Sequence, residues 1–433
     1  MPDLSALDEI PLDGATKGVP GGTRPFRLGE IAGQGWNVLR GDLPLPLAVL
    51  KETALRHNGD WMRRFLALTG TKLSPHGKTS MSPELFQRQL DDGAWAITVA
   101  TAQQVEICRR FGFPRIILAN QLLGRPAIDY VLEEIRRDPG FDFYCLVDSV
   151  AGVGMLAEAA AAAAIGRPLQ VLLEGGTLGG RTGCRTLQDA LAVANAVDAA
   201  APHLALRGIE GFEGLIAGET LEAQDRNIGA FLDYLVEIAR AVDRAGQFAD
   251  GPVLLTAGGS AFYDLVVERF QGAGLSSEVA VVTRSGCYLT HDSGLYNRFF
   301  ERIANRTEAA RELGDGPRAA FEIWAYVQSR PEAGKAILTM GRRDCGTDAE
   351  WPTPLLWYRP GLHGAPVAAP EGSAVVDMND QHTHMTVAED APYQVGDMVA
   401  FGISHPCTTF DKWDLIQVVD DDYDVISAIK TFF

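Results

Sequence analysis

The feature that most constrains the fold is a repeated order of short apolar runs and helix-like stretches between residues 70 and 290. Each run is apolar throughout rather than alternating with polar residues, which is typical of parallel strands that are covered on both faces. The stretches between the runs place apolar residues at three- and four-residue steps, as amphipathic helices do. The runs lie at residues 94–99, 115–119, 143–147, 169–173, 204–207, 253–256 and 279–283.

One more strand is expected just before Lys78, which brings the number of strands to eight. Eight strands that alternate with helices predict an α/β fold of the TIM type, a (β/α)8 barrel. A doubly wound open sheet is the alternative, because the number of strands alone does not separate the two. The alanine-rich segment at residues 157–164 is predicted to be helical, since Gly166 and Pro168 follow it as stop signals.

The pattern changes after about residue 325, where short apolar runs are separated by Pro, Gly and Asp and no long helix intervenes. This pattern predicts a compact all-β domain at the C-terminus. We therefore predict a barrel over residues 46–325 and a β domain over residues 326–433. Residues 1–45 are rich in Gly and Pro, and we expect them to wrap around these bodies and join the β domain.

Charge and cysteine content narrow the class of protein. A net charge of -18 argues against nucleic acid and anionic membranes as partners. No stretch reaches the roughly 18 apolar residues of a membrane span, and the acidic N-terminus does not resemble a signal peptide. The six cysteines are scattered without a CxxC spacing, which favours reduced thiols in a cytoplasmic enzyme.

The first chemical candidate is Lys78, in the segment Ser-Pro-His-Gly-Lys-Thr at residues 74–79. A lysine at the exit of a buried strand offers an amine that can form a Schiff base. A phosphate-binding P-loop is the first alternative, but it requires a glycine five residues before Gly77, and that position is Lys72. An ordinary surface lysine in a turn is the second alternative.

The second candidate is the pair His405 and Cys407 near the C-terminus. Two residues apart on a strand, their side chains would point to the same side, and imidazole with thiolate suits zinc. A buried histidine and a small buried cysteine in the core are the alternative. If this pair and Lys78 share a pocket, the chemistry is that of pyridoxal phosphate (PLP) assisted by a metal.

Loops at the ends of predicted strands supply candidate contacts for PLP. Glycines let backbone N–H groups approach an anion, serines add hydroxyl donors, and phosphate commonly binds after strands seven and eight of a barrel. Arg181, after the fifth strand, either faces the pyridine nitrogen or points to solvent. The candidate phosphate contacts are Gly258, Gly259 and Ser260, followed by Ser285, Gly286, Cys287 and Tyr288.

Taken in order, these motifs resemble the D-threonine aldolase/D-serine dehydratase family of alanine racemase-like PLP enzymes (fold type III), over about residues 45–420. The resemblance implies that Lys78 holds PLP, that Arg181 faces its pyridine nitrogen, and that the two loops bind its phosphate. It also implies a metal on His405 and Cys407. The segment at residues 380–384 departs from the family by having Gln381 where an acid is common. His382 and His384 are therefore expected to have a structural role or to contact the metal ligands, and not to bind the metal themselves.

Three functions are compared, and the first is the one that we favour. The first is PLP- and Zn2+-dependent dehydration of a β-hydroxy D-amino acid, such as D-serine or D-threonine, to a 2-oxo acid and ammonia. The second is a D-threonine-type aldolase with Mn2+ or Mg2+. Within the family, His-x-Asp is associated with aldolases and His-x-Cys with zinc-dependent dehydratases. The third is a non-catalytic PLP-binding protein. Racemization is disfavoured because no tyrosine is identified as a second base, and a homodimer is expected by analogy.

Overall fold

The computed structural model describes residues 2–433 and contains an eight-stranded parallel sheet. Its first strand, Lys72–Leu73, lies directly before the Lys78 segment, and the other strands overlap the predicted apolar runs. In chain order the strands are Lys72–Leu73, Ile97–Val99, Arg115–Gln121, Asp142–Val147, Leu169–Glu174, Leu204–Glu210, Val253–Ala257 and Val279–Thr283.

The sheet closes on itself. Each strand after the first two pairs in parallel with the strand before it in the chain, and the eighth strand returns to pair with the first through Val282 and Lys72. The first and second strands join just beyond their paired ends, where Thr98 N–H donates to the Pro75 carbonyl at 2.9 Å. This closure confirms the predicted (β/α)8 barrel and rejects the open doubly wound sheet.

Helices connect the strands, and several begin at a side-chain cap. Thr101, Ser149, Thr186 and Thr220 each accept a hydrogen bond from a backbone N–H of the following first turn. The alanine-rich segment is helical as predicted. The longer helices are Glu52–Thr69, Pro83–Asp91, Ala102–Arg110, Arg125–Arg137, Val150–Ala163, Leu187–Ala199, Leu221–Arg244, Tyr263–Gln271 and Leu295–Arg306.

Shorter helical segments complete this inventory. They are Ser5–Asp8, Leu28–Glu30, Ala32–Gln34, Gly77–Thr79, Glu308–Leu313 and Cys407–Phe410. Across residues 2–433, none of the helices combines the length and hydropathy that crossing a bilayer would require.

A second sheet has ten strands and is almost entirely antiparallel. Its exception is Leu47–Lys51, which runs parallel to Leu415–Val419 and antiparallel to the long strand Phe321–Glu332. The ten strands are Leu47–Lys51, Phe321–Glu332, Lys335–Leu338, Thr353–Tyr358, Val367–Ala368, Ala374–Met378, Thr383–Thr386, Met398–Gly402, Leu415–Val419 and Val425–Lys430. A separate two-stranded sheet is formed by Pro11–Leu12 and Phe26–Arg27.

The chain forms two compact units that are not continuous in sequence. The barrel unit contains Arg64–Lys78 and Gly93–Gly286, and the β unit contains Asp3–Arg63, Thr79–Asp92 and Cys287–Phe433. These limits differ from the predicted divisions at residues 1–45, 46–325 and 326–433. The apolar run at Leu47–Lys51 has the composition of a buried parallel strand, so its sequence does not reveal which sheet it joins.

Asn58 ties together parts of the β unit that are far apart in sequence. Its side chain is fully buried, and its amide group donates to the carbonyl oxygens of Leu289, at 2.8 Å, and Arg318, at 2.7 Å. Its carbonyl oxygen accepts from the Arg318 N–H at 2.6 Å. One side chain on the helix Glu52–Thr69 therefore fixes the backbone just after Cys287 and Tyr288.

Asn58→Ala should destabilise the protein, because it leaves three backbone groups without their partner at a buried position. A buried unsatisfied group costs about 1–3 kcal/mol, so we expect urea unfolding to show a loss of a few kcal/mol. Asn227→Ala is the control, since Asn227 is exposed and makes a single bond to the Ala217 carbonyl. Equal effects of the two substitutions would contradict the assigned role of Asn58.

Candidate active site

Lys78 lies in a single turn of 3-10 helix, Gly77–Thr79, at the carboxyl end of the first barrel strand. Its side chain is exposed, so the amine is at the mouth of the barrel rather than in the packed interior. Active sites of this fold lie at the carboxyl ends of the strands. The position of Lys78 is therefore one from which an amine can react with a bound small molecule.

Three positive charges act on His76, which lies two residues before Lys78. Burial, together with the positive charges of Lys78, Arg284 and Arg181, holds the pKa of His76 well below its usual value. His76 is therefore neutral, and its buried Nδ1 has no hydrogen-bond partner. Lys78, Arg181 and Arg284 all belong to the barrel unit, and each acts electrostatically on His76.

Arg181 lies in the loop after the fifth strand. It is exposed, and its guanidinium carbon is 4.6 Å from the centroid of the Phe212 ring. The loop borders a cavity of about 470 Å³, whose lining includes Glu174, Arg181, Thr182, Phe212, Leu215 and Ile216.

One wall of this cavity is fixed by a buried carboxylate. Glu174 accepts hydrogen bonds from Gln121 and from the Thr182 hydroxyl, each at 2.6 Å. The cavity therefore combines an anchored acid, a stacked arginine and apolar side chains.

An ion pair between Glu210 and Arg284 was not found from the sequence. Arg284 follows the eighth strand, is 5% exposed, and pairs with Glu210 at the end of the sixth strand. It also donates to the Gly211 carbonyl at 2.7 Å. Burial raises the pKa of Glu210 to about 7, although Arg284 acts in the opposite direction. The sequence feature that could have indicated this pair is an acidic and a basic residue at the carboxyl ends of two strands of the same barrel.

The loop after the seventh strand is held by a second acid, Glu213. This glutamate is fully buried, and its two carboxylate oxygens accept from the N–H groups of Gly258, at 3.0 Å, and Gly259, at 2.8 Å. Gly258 has φ +91°, a backbone conformation that favours glycine. The Ser285 hydroxyl donates to the Gly259 carbonyl at 3.2 Å.

The structure therefore brings the Gly258 loop and Ser285 together. The N–H groups of Gly258 and Gly259 already donate to the two carboxyl oxygens of Glu213. Ser260, Ser285 and Gly286 adjoin these donors along the chain.

Cys287 and Tyr288, also predicted phosphate contacts, belong to the β unit. Tyr288 is buried, and burial raises its pKa. The Cys287 Sγ is 3.7 Å from the Cys407 Sγ. Cys287 therefore lies beside a residue that the sequence assigned to a metal, a contact that the sequence analysis did not anticipate.

His405 and Cys407 come together through a turn rather than a strand. His405 follows the strand Met398–Gly402 and has φ +67°, and Cys407 begins the short helix Cys407–Phe410. The His405 N–H donates to Asp292 at 2.8 Å, and its Nδ1 lies 2.5 Å from Asp348. The expectation of alternate positions on one strand was therefore wrong in its geometry, although the two side chains do meet.

The contact between these two side chains shifts both pKa values. Hydrogen bonding to Cys407, with a further contribution from Asp348, raises the pKa of His405 to about 9. Hydrogen bonds from Cys287 and then His405 lower the pKa of Cys407 well below its usual value. Both shifts favour a thiolate on Cys407 beside an imidazolium on His405. A divalent cation would bind the thiolate and the neutral imidazole, so its binding would release the imidazole proton.

Within residues 2–433, no group of three or more His, Cys, Asp or Glu side chains is arranged so that it could hold a metal ion. The pair alone supplies two donors. His384 instead contacts the Asn379 side-chain oxygen at 2.8 Å, and Gln381 donates to Asp344 at 2.8 Å. His382 lines a separate cavity of about 700 Å³ in the β unit together with Lys17.

Tyr296 is a further residue that the sequence analysis missed. It lies within hydrogen-bonding reach of Cys287, and burial raises its pKa well above the usual value. Its ring centroid is 6.1 Å from that of His405. A tyrosine therefore borders the thiol–imidazole pair, although it carries no sequence motif that marks it.

Comparisons with known proteins agree with this architecture. Residues 50–261 match the model of the alanine racemase N-terminal domain, and residues 320–419 match that of a putative serine dehydratase domain. The 3-hydroxy-D-aspartate aldolase of Paracoccus denitrificans (strain Pd 1222) is 23% identical over 315 residues, which are 72% of this chain and 75% of that protein.

Solved structures extend the similarity over nearly the whole chain. D-Threonine aldolase from Filomicrobium marinum has a TM-score of 0.72 at 19% identity, covering 90% of this chain and 95% of that one. D-threo-3-Hydroxyaspartate dehydratase from Delftia sp. HT23 has a TM-score of 0.67 at 22% identity, covering 92% and 99%. Structures of that dehydratase include a histidine-to-alanine variant and a cysteine-to-alanine variant, two positions apart, the latter in the metal-free form. These similarities confirm the predicted fold.

Replacing Glu213 should destabilise the Gly258 loop in graded steps. Glu213→Ala removes both acceptors, whereas Glu213→Gln keeps one acceptor and turns an amide donor toward the other N–H. Each lost bond should cost about 1–3 kcal/mol, so the free energy of unfolding in urea should fall in the order wild type, Gln, Ala. Faster hydrogen exchange at Gly258 and Gly259 should accompany the loss. Equal stability of all three proteins would contradict this account.

Proposed function

Because the chain belongs to the family of alanine racemase-like enzymes that contains the D-threonine aldolases and D-serine dehydratases, we propose that it is a PLP- and Zn2+-dependent lyase. Its proposed reaction is the dehydration of a β-hydroxy D-amino acid to a 2-oxo acid and ammonia. The observation that carries this choice is the contact between the His405 imidazole and the Cys407 thiol. An imidazole and a soft thiolate together favour zinc over Mg2+ or Mn2+.

The barrel mouth fits PLP. Lys78 supplies an exposed amine for its aldehyde, and Arg181 is the proposed partner of its pyridine nitrogen. Bound PLP would withdraw electrons from Cα of an amino acid and so weaken its Cα–H bond. The sequence suggests phosphate contacts at Gly258, Gly259, Ser260, Ser285, Gly286, Cys287 and Tyr288. Because Glu213 already accepts from the N–H groups of Gly258 and Gly259, we assign these two glycines to shaping the loop and propose the other five residues as the phosphate contacts.

The freed amine of Lys78 is the proposed base that removes the Cα proton. It can accept a proton only from the side on which it lies, so one enantiomer is preferred. A missing general base costs about 10²–10⁴-fold in rate, and no base is assigned to the opposite side. This argument supports a D-specific enzyme and disfavours a racemase.

The metal pair fits the second requirement, which is to make the β-hydroxyl a better leaving group. Zinc on His405 and Cys407 would supply Lewis acidity, with coordination positions left for substrate. Within the β unit, the Thr79 hydroxyl oxygen lies 3.4 Å from the Cys407 Sγ. His405 is further oriented by Asp348, as metal-bound histidines commonly are by carboxylates.

A D-threonine-type aldolase is the second candidate, and the names of two similar proteins favour it. In that reaction the β-hydroxyl loses its proton and the Cα–Cβ bond breaks, which yields glycine and an aldehyde. The thiolate of Cys407, in place of a carboxylate, is what favours the dehydratase. A homodimer and a cytoplasmic location remain part of the proposal.

The two reactions are separated by their products. Purified protein with PLP and zinc should convert D-serine, D-threonine or D-3-hydroxyaspartate to a 2-oxo acid and ammonia, and the L-forms about 10²–10⁴-fold more slowly. Lys78→Ala should abolish product formation and the borohydride-trapped adduct, because the amine is lost. Lys72→Ala, a nearby exposed lysine, is the control and should keep the adduct. Glycine and an aldehyde as the main products would replace the dehydratase by the aldolase.

Removal of the metal should stop the reaction without releasing PLP. A chelator should abolish activity and leave the absorption of bound PLP in place, because the proposed metal acts on the β-hydroxyl. Zinc should restore activity better than magnesium. Cys407→Ser should lower the bound zinc, whereas Cys345→Ser, at a buried cysteine of the β unit, should not. Full activity of metal-free protein would refute the role of zinc.

A further inference from the structure

Cys287 and Cys407 form a close dithiol. Their sulfur atoms are 3.7 Å apart, against about 2.0 Å in a disulfide. The Thr79 hydroxyl oxygen is 3.4 Å from the Cys407 Sγ and 3.8 Å from the Cys287 Sγ. It therefore borders both sulfurs, which would have to approach each other by about 1.7 Å to bond.

The two thiols differ in their access to solvent. Cys287 is 4% exposed, and Cys108, Cys145, Cys184 and Cys345 are buried as well. Cys407 is half-buried and is the cysteine in the described part of the chain that a small solute can reach most easily. This arrangement, a reachable thiol next to a shielded one, is that of a reacting and a resolving cysteine.

We propose that Cys287 and Cys407 are a redox modification site, at which a peroxide converts the dithiol to a reversible disulfide and thereby removes Cys407 from zinc binding. The second half of this inference rests on the proposed function, whereas the disulfide itself does not. Only a deprotonated thiol binds zinc, and a disulfide sulfur has no proton to lose. Oxidation would therefore leave His405 as the one remaining donor of the pair.

The electrons and atoms balance with hydrogen peroxide as the oxidant. Cys407 attacks one peroxide oxygen, the O–O bond breaks, and a sulfenic acid and water form. The Cys287 thiol then attacks the Cys407 sulfur, the S–O bond breaks, the S–S bond forms, and a second water leaves with the Cys287 proton. The two thiols lose two electrons in total, and a dithiol reductant returns them by exchange.

The experiment is peptide mapping of the zinc-free protein after one equivalent of hydrogen peroxide, without reduction. Cys345 and Cys407 both lie between Arg343 and Lys412, and the intervening Arg359 precedes a proline, so trypsin does not separate them well. The mapping is therefore done on Cys345→Ser, in which Cys407 is the only cysteine left in that tryptic peptide. The expected result is a Cys287–Cys407 link in most chains, which dithiothreitol removes.

Two further measurements test the assignment. Cys287→Ser, or Cys287→Ala if the serine variant does not fold, should leave Cys407 as a sulfenic acid or over-oxidised and give no cross-link. In the zinc-loaded Cys345→Ser protein, oxidation should release about one zinc per chain together with the cross-link, and excess zinc should slow linking. No Cys287–Cys407 link in the zinc-free protein would overturn the proposal.

The failure of the proposed function would look different. If the protein never binds zinc and the link still forms, the metal role is wrong and the modification site stands. If the link forms and the zinc content stays unchanged, the claimed effect of oxidation on the metal is wrong. Neither result depends on measuring catalytic activity.

Discussion

Closure of the parallel sheet is the constraint on which the candidate PLP site depends. A parallel sheet that closes on itself brings the carboxyl end of every strand to one rim. Lys78, Arg181, Gly258 and Arg284 follow the first, fifth, seventh and eighth strands, and they are separated by up to about 200 residues in the chain. Closure through Thr98 and Pro75 places the first strand next to the second, and so makes the rim continuous.

The rim balances opposite charges in a small volume. Three acids, Glu174, Glu210 and Glu213, are almost fully buried there, and each accepts hydrogen bonds from named donors. Burying a carboxylate without such partners would be costly. The acids therefore hold the loops and Arg284 in position, and Lys78 and Arg181 remain exposed for binding. The sequence marks the N–H groups of Gly258 and Gly259 as donors to an anion, but it does not show that Glu213 is the acceptor.

In the β unit, the sulfur of Cys407 has more than one proposed role. Cys407 contacts His405, Cys287 and Thr79, so a single sulfur is shared by the proposed metal site and the proposed disulfide. Zinc and peroxide would compete for that sulfur, because both require its thiolate. The arrangement would couple the metal content to the redox state without any change in the fold.

By itself, the sequence determined the strand–helix order, the apolar runs of the barrel, and the residue types that can form a Schiff base or bind zinc. Those features are local, since burial on both faces of a strand requires apolar residues wherever the strand lies. Only the tertiary structure decided that Leu47–Lys51 joins the β sheet, that Glu213 occupies the Gly258 loop, and that Cys287 meets Cys407. These outcomes depend on contacts between residues 45 to more than 250 positions apart, and nothing in the local pattern of either partner encodes which distant group it will meet.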